Sequence, residues 1–112
     1  NAASPRFNIF FSMSCYTLSN KVMEININCD LGEKSKHHSN KHDPELLKIV
    51  NSANVACGYH AGDDESMNQV VEISKNNGVS IGAHPSFNDP ENFGRKRMNL
   101  SSSEIRKLII DQ

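Results

Sequence analysis

The hydrophobic rhythm of the chain changes at Met23, and the change locates the first element of the domain. Ile25, Ile27 and Cys29 alternate with Glu24, Asn26 and Asn28, the period-two pattern of a strand with one buried face, so residues 24–30 are read as a strand. Gly32 breaks it, and residues 34–41 form a polar run of Lys, Ser, His and Asn with no apolar period, expected to lie at the surface. Asp43-Pro44 reads as a helix start, with Asp as N-cap and Pro at the first helical position, where its missing N–H costs nothing. Leu46, Leu47 and Val50 give that helix its apolar face.

Residues 54–58 are small and apolar and read as a second, buried strand, with Gly58 turning the chain at its end. Met67, Val70, Val71 and Ser74 fall at i, i+3, i+4 and i+7, which predicts a helix over 64–77, ended by Asn77-Gly78. A third strand is expected over 79–83, then a loop over 84–99 carrying Pro85, Pro90 and Gly94. Ser101 and Glu104 have the spacing of a capping box, and Ile105, Leu108 and Ile109 form the expected buried stripe of a last helix.

Strand, helix, strand, helix, strand, helix argues for an α/β fold of parallel strands with right-handed crossovers. A complete (β/α) barrel needs about 250 residues. With 112 residues, this chain is expected to form only part of one, a partial sheet with an exposed hydrophobic edge. Upstream, Arg6 precedes an apolar run ending at Leu18, but Asn8, Ser12 and Ser14 interrupt it. No small-x-small cleavage site follows, and the run is far too short to span a bilayer. Residues 1–22 are therefore read as an unmatched N-terminal extension, expected to be disordered, with the domain over 23–112.

Composition narrows the function classes. Hydrophobic residues are 37% and charged residues 22%, as in a soluble globular domain or a piece of one. Twelve Lys and Arg against 13 Asp and Glu, a formal net charge of -1, supply no electrostatic footprint for nucleic acid or for an anionic membrane. A small or polar ligand is the default. The three cysteines, Cys15, Cys29 and Cys57, form no CxxC pair, so neither a disulfide framework nor a thiolate zinc site is indicated, which favours a reducing, cytoplasmic setting.

In α/β proteins of this kind ligands gather at the carboxyl ends of the parallel strands. Three such ends carry chemistry: Asn28-Cys29-Asp30-Leu31-Gly32-Glu33, Cys57-Gly58-Tyr59-His60-Ala61-Gly62-Asp63, and Gly82-Ala83-His84-Pro85. Asp30, His60 and His84 would converge there as the raw material for a divalent metal site or for general acid–base catalysis. Each also has a plainer role: Asp30 as a turn cap, the histidines as hydrogen-bonded packing residues, and Asp63 as the N-cap of the following helix. Cys57 has no visible base to activate it, and His37, His38 and His42 fit a solvated loop. Arg95, within Gly94-Arg95-Lys96-Arg97, has the chemistry to clamp a carboxylate or phosphate.

Taken together, residues 27–33, 52–63 and 82–85, followed by 89–98 with Phe93-Gly94-Arg95-Lys96-Arg97, resemble the LamB/YcsF family in order and spacing. The resemblance runs from Met23 to Gln112 and covers less than half of a full-length member. It implies a TIM-like barrel of the glycoside hydrolase/deacetylase type, whose best described role is the A subunit of 5-oxoprolinase. The implied reaction opens 5-oxo-L-proline to L-glutamate at the expense of ATP, together with B and C subunits. Carried onto this sequence, Asp30, His60 and His84 become the expected catalytic residues and candidate metal ligands. Asn28, Asn54, Asp63 and Arg95 become substrate-binding candidates. The Lys-, Ser- and His-rich residues 34–42 depart from the glycine- and aromatic-containing loop of many members. Two other outcomes are a metal-dependent deacetylase or amidohydrolase that needs no ATP, and a non-catalytic truncated chain.

Overall fold

A computed structural model describes residues 7–11 and 25–112. Four strands form one sheet in the order β1 (Phe7–Phe11), β2 (Ile25–Leu31), β3 (Ser52–Ala56) and β4 (Ser80–His84). β2, β3 and β4 run parallel, as the alternating element order requires, and β1 pairs antiparallel with β2, from Phe7 opposite Cys29 to Phe11 opposite Ile25. The hydrophobic pattern alone does not mark β1 as a strand. Arg6 and residues 12–18 of the upstream apolar run, with the rest of 1–24, lie outside the described residues.

Register divides the sheet into two unlike faces. Asn28 and Asp30 pair with Ser52 and Asn54, and Ser52, Asn54 and Ala56 pair with Ser80, Gly82 and His84, which gives one largely polar face. Cys29, Leu31, Ala53 and Val55 fill the other and are buried with Leu47, Val50, Val70 and Val79 in the core. This core is small, so single methylene groups count. Burial also pushes the Cys29 thiol up to about 11, which leaves it an inert packing group.

Helix α2 (Asp64–Asn77) covers the apolar face and follows its expected span. Asp63 caps it by accepting a 2.8 Å bond from the Ser66 N–H, while Gly78 and Val79 donate to the last turn. Its wholly buried positions are Ser66, Val70 and Ser74, with Met67 and Ile73 packed at the core's edge. Helix α1 is shorter than its apolar pattern suggests, a single turn over Asp43–Leu46, beyond which Leu47 and Val50 enter the core from a turn. Asp43 does not cap it. His42 holds that position, and the buried Asp43 carboxylate instead accepts a 2.7 Å bond from the Gly32 N–H. That long-range bond anchors the turn after β2.

The second strand lies two residues earlier than the pattern of small residues suggests, and β4 extends one residue further, to include His84. Helix α3 (Ser102–Ile110) carries the expected capping box between Ser101 and Glu104. Its apolar stripe, expected to be buried, is not: Ile105 and Ile109 are 43% and 50% exposed, because no described element packs over them. Gln112 ties the helix end back by accepting from the Ser86 N–H and donating to the Ser86 carbonyl. No helix among the described residues is long and apolar enough to cross a membrane.

One close approach holds the strand ends in place. Gly62, at φ +86°, donates a 2.8 Å bond to the Lys34 carbonyl, and a Cβ there would stand 2.5 Å from the Gly32 carbonyl oxygen. Only glycine satisfies both the left-handed backbone and the contact. Gly62→Ala is therefore expected to cost about 3 kcal/mol from unfavourable φ and overpacking combined, read as a lower midpoint in urea unfolding. An unchanged midpoint would show that the two loops are free to separate.

Candidate active site at the strand ends

The polar face of the sheet leads to the site through a short hydrogen-bonded ladder. The Ser52 hydroxyl donates to Asn26 Oδ1 at 3.1 Å, and the Asn54 amide donates to Asn28 Oδ1 at 3.2 Å and to Asp30 Oδ1 at 3.0 Å. Asn54 thus meets Asp30 directly, and Asn28 holds the same Asn54 amide from behind, an arrangement that orients the Asp30 carboxylate. At the top of the ladder Asp30 Oδ1 lies 3.7 Å from Nδ1 of His84, the last residue of β4.

Glu33 completes the group. The turn fixed by Gly32 and Asp43 sends its side chain inward, where Oε1 sits 3.0 Å from His60 Nε2 and 3.5 Å from His84 Nδ1. His60 is 2% exposed and its ring lies 4.8 Å from that of His84, centroid to centroid. A carboxylate this deep is tolerable only when paired, and the His60 imidazole supplies the pairing.

A cleft of about 720 Å³ opens over this cluster. One wall is the loop Lys34–His38 and the other is the segment 90–95, whose Phe93 ring meets His60 edge-on at 4.9 Å. Phe93 is held at φ +57°, and Gly94 packs so closely that a Cβ would stand 2.9 Å from the His60 Cβ. Asp89 fastens the segment by accepting from the Asn92 side chain and the Lys96 N–H. Arg95 stacks over Phe93 at 5.4 Å and forms no ion pair among the described residues, so its guanidinium is available to the cleft.

The sequence-predicted residues separate into two groups. Asp30, His60, His84 and Arg95 line one cleft, with Asn28 and Asn54 behind Asp30. Asp63 stands apart, capping α2 and pairing with Lys34 at 3.2 Å. The Cys57 thiol donates to the Val55 carbonyl and meets no base. Glu33 is the functional candidate that strand-end logic passes over, because it lies beyond the breaking glycine. The signal in the sequence was its place directly after Asp30-Leu31-Gly32.

Glu33, His60 and His84 each offer a donor atom within 4.8 Å of the others, and Nδ1 of His84 is buried without a hydrogen-bond partner. A two-imidazole, one-carboxylate set of this kind suits a divalent cation. Even without one, it has the parts of an acid–base site.

Parallel strands ending in a carboxylate–imidazole cluster define an α/β protein with its chemistry on the strand-end loops. Residues 25–112 match the LamB/YcsF family model, and the chain belongs to that family. The 5-oxoprolinase A subunit of Staphylococcus epidermidis is 47% identical over 90 residues, 80% of this chain and 36% of the relative. The corresponding protein of Staphylococcus carnosus is 43% identical over the same shares. The crystal structure of a lactam utilization protein from Thermus thermophilus superposes with a TM-score of 0.69 at 40% identity, covering 76% of this chain and 34% of that one. This chain thus spans about a third of the length of the relatives it matches.

The Asp63 cap makes a testable contribution to stability. Bonds from Ser66, and then the Lys34 ammonium, bring its carboxyl from 3.8 down to about 2. A carboxyl depressed by folding adds stability that is fully present above its unfolded value and lost as pH falls through its folded one. Thermal melts of the wild type should therefore lose stability between about pH 4 and pH 2 more steeply than melts of Asp63→Asn, which keeps a capping oxygen without the charge. Parallel profiles would remove Asp63 from the acid response.

Proposed function

We propose that this chain supplies the N-terminal part of a LamB/YcsF (β/α) barrel that serves as the A subunit of a cytoplasmic, ATP-dependent 5-oxoprolinase, with B and C subunits as partners. The observation that carries this reading is the convergence of Asp30, Glu33, His60 and His84 beneath one cleft in the segment shared with relatives named for that activity. The open parallel sheet is consistent with a barrel sector whose remaining strands lie in the part of the relatives that this chain does not span.

A five-membered lactam is a poor electrophile, and ATP, when bound, would supply a phosphoryl group to its carbonyl oxygen with release of ADP. Water attack and C–N cleavage would then leave an acyl phosphate, whose hydrolysis releases inorganic phosphate and glutamate. The chain's own residues have separate tasks. Asp30, steadied by the Asn54 amide at 3.0 Å, takes a proton from the attacking water. His84, exposed enough to meet substrate, gives a proton to the leaving ring nitrogen, and His60 with Glu33 holds its ring from behind. Arg95 meets the substrate carboxylate or a phosphate oxygen from the far wall. Proximity of these groups replaces solvent reorganisation with fixed charges.

The metal-compatible trio supports a second reading, hydrolysis of an amide without ATP. Both readings meet one experiment. Residues 25–112 replace the matching segment of the Staphylococcus epidermidis relative, and glutamate release from 5-oxoproline is followed with its B and C subunits, with and without ATP. ATP-dependent release is expected, falling about a hundredfold or more in Asp30→Ala and in His84→Ala. Release that ignores ATP would favour the second reading. A folded, assembled chimera with unchanged rates in both variants would refute the assigned roles.

A further inference from the structure

We infer that Glu33, His60 and His84 form a divalent transition-metal site, with Glu33 as the carboxylate ligand and Asp30 left outside the first coordination sphere. This assignment rests on the proposed function only in sharing its site; with the metal bound, His84 is a ligand and the proton for the leaving nitrogen comes from another group, and metal binding is measurable whether or not lactam chemistry follows.

Distances support it. Zinc bound at about 2.0–2.1 Å in a tetrahedron holds its ligand atoms about 3.3 Å apart. Glu33 Oε1 stands 3.0 Å from His60 Nε2 and 3.5 Å from His84 Nδ1, which bracket that spacing before any ion draws them in. His84 Nδ1 is buried, points at carboxylate oxygens, and forms no hydrogen bond. An unpartnered buried nitrogen is costly unless something else takes its lone pair.

Asp30 is the obvious rival and fits less well. Its Oδ1 is farther from His84, at 3.7 Å, and is already engaged by the Asn54 amide. Glu33 has no competing donor besides His60. Three protein ligands leave one position open toward the cleft, as in catalytic rather than structural zinc sites. Asp30, beside that position, is placed to accept a proton from a water held there.

Zn(II) affinity is measured on the full chain by competition with a chromophoric chelator, and Co(II) spectra report geometry. Competing chelation by loop histidines is tested in a His37→Gln, His38→Gln, His42→Gln triple variant. One zinc equivalent is expected in the wild type and the triple variant with affinities alike, and in Asp30→Asn with a smaller loss than in Glu33→Gln, with a tetrahedral Co(II) band in each. Glu33→Gln and the less buried change His84→Gln should each weaken binding by about thirtyfold or more, with circular dichroism showing both folded. The inference is overturned by a folded wild type that takes up no zinc, by binding that persists in denaturing urea, by loss only in the triple variant, or by loss in Asp30→Asn with Glu33→Gln unaffected. Should Glu33→Gln unfold, His84→Gln alone decides.

Discussion

The site depends on the contact between two backbones, Gly62 against Gly32 and Lys34. The Gly62 N–H bonds the Lys34 carbonyl at 2.8 Å, and the absence of a side chain at Gly62 lets the loops after β2 and β3 touch. Glu33 lies inside the closed pair of loops and His60 lies two residues before Gly62, so the contact brings carboxylate to imidazole. Asp43 fastens the other side through the Gly32 N–H, although burial pushes its own carboxyl up. The bond to Gly32 offsets part of that desolvation. Burying Glu33 without His60 would leave a charge with neither water nor partner.

A second constraint comes from the pleat. Because side chains alternate strictly, the residues that build the core and those that build the ladder toward Asp30 occupy the same three strands without competing. Cys29 and Leu31 point to α2 while Asn28 and Asp30 point to the cleft side. A slip of one residue in β2 would exchange these sets, burying the amides and exposing the core. The Asn54 amide bonds to both Asn28 and Asp30, and so adds to register as well as to orientation.

Features set by local chemistry were legible in the sequence: the alternation of β2, the capped span of α2 and the capping box of α3 all stand close to where their residues place them. Features set by distant partners were not. Asp43 resembles an N-cap because Pro44 follows, yet its acceptor role lies with Gly32, 11 residues away. Leu47 and Val50 look like a continuing helix face because apolar spacing cannot tell a helix from a turn that feeds the same core. For the site, Asp30, His60 and His84 could be placed from strand ends alone. Glu33 could not, since its direction depends on Gly32 at φ +74° and on the two loops meeting.

Two carboxylates facing one imidazole create an electrostatic requirement that the cluster does not meet from hydrogen bonds alone. Asp30 and Glu33 lie 3.7 and 3.5 Å from the same His84 nitrogen, and neither distance is a hydrogen bond. Two carboxylates converging on one nitrogen in a partly desolvated cleft repel more strongly than they would in water. The Asn54 amide relieves Asp30, and His60 relieves Glu33, but the space between them still favours positive charge. A divalent cation held by Glu33, His60 and His84 would supply it. The same repulsion that makes the cluster costly in a purely structural role makes it suited to stabilising charge that develops on a reacting group.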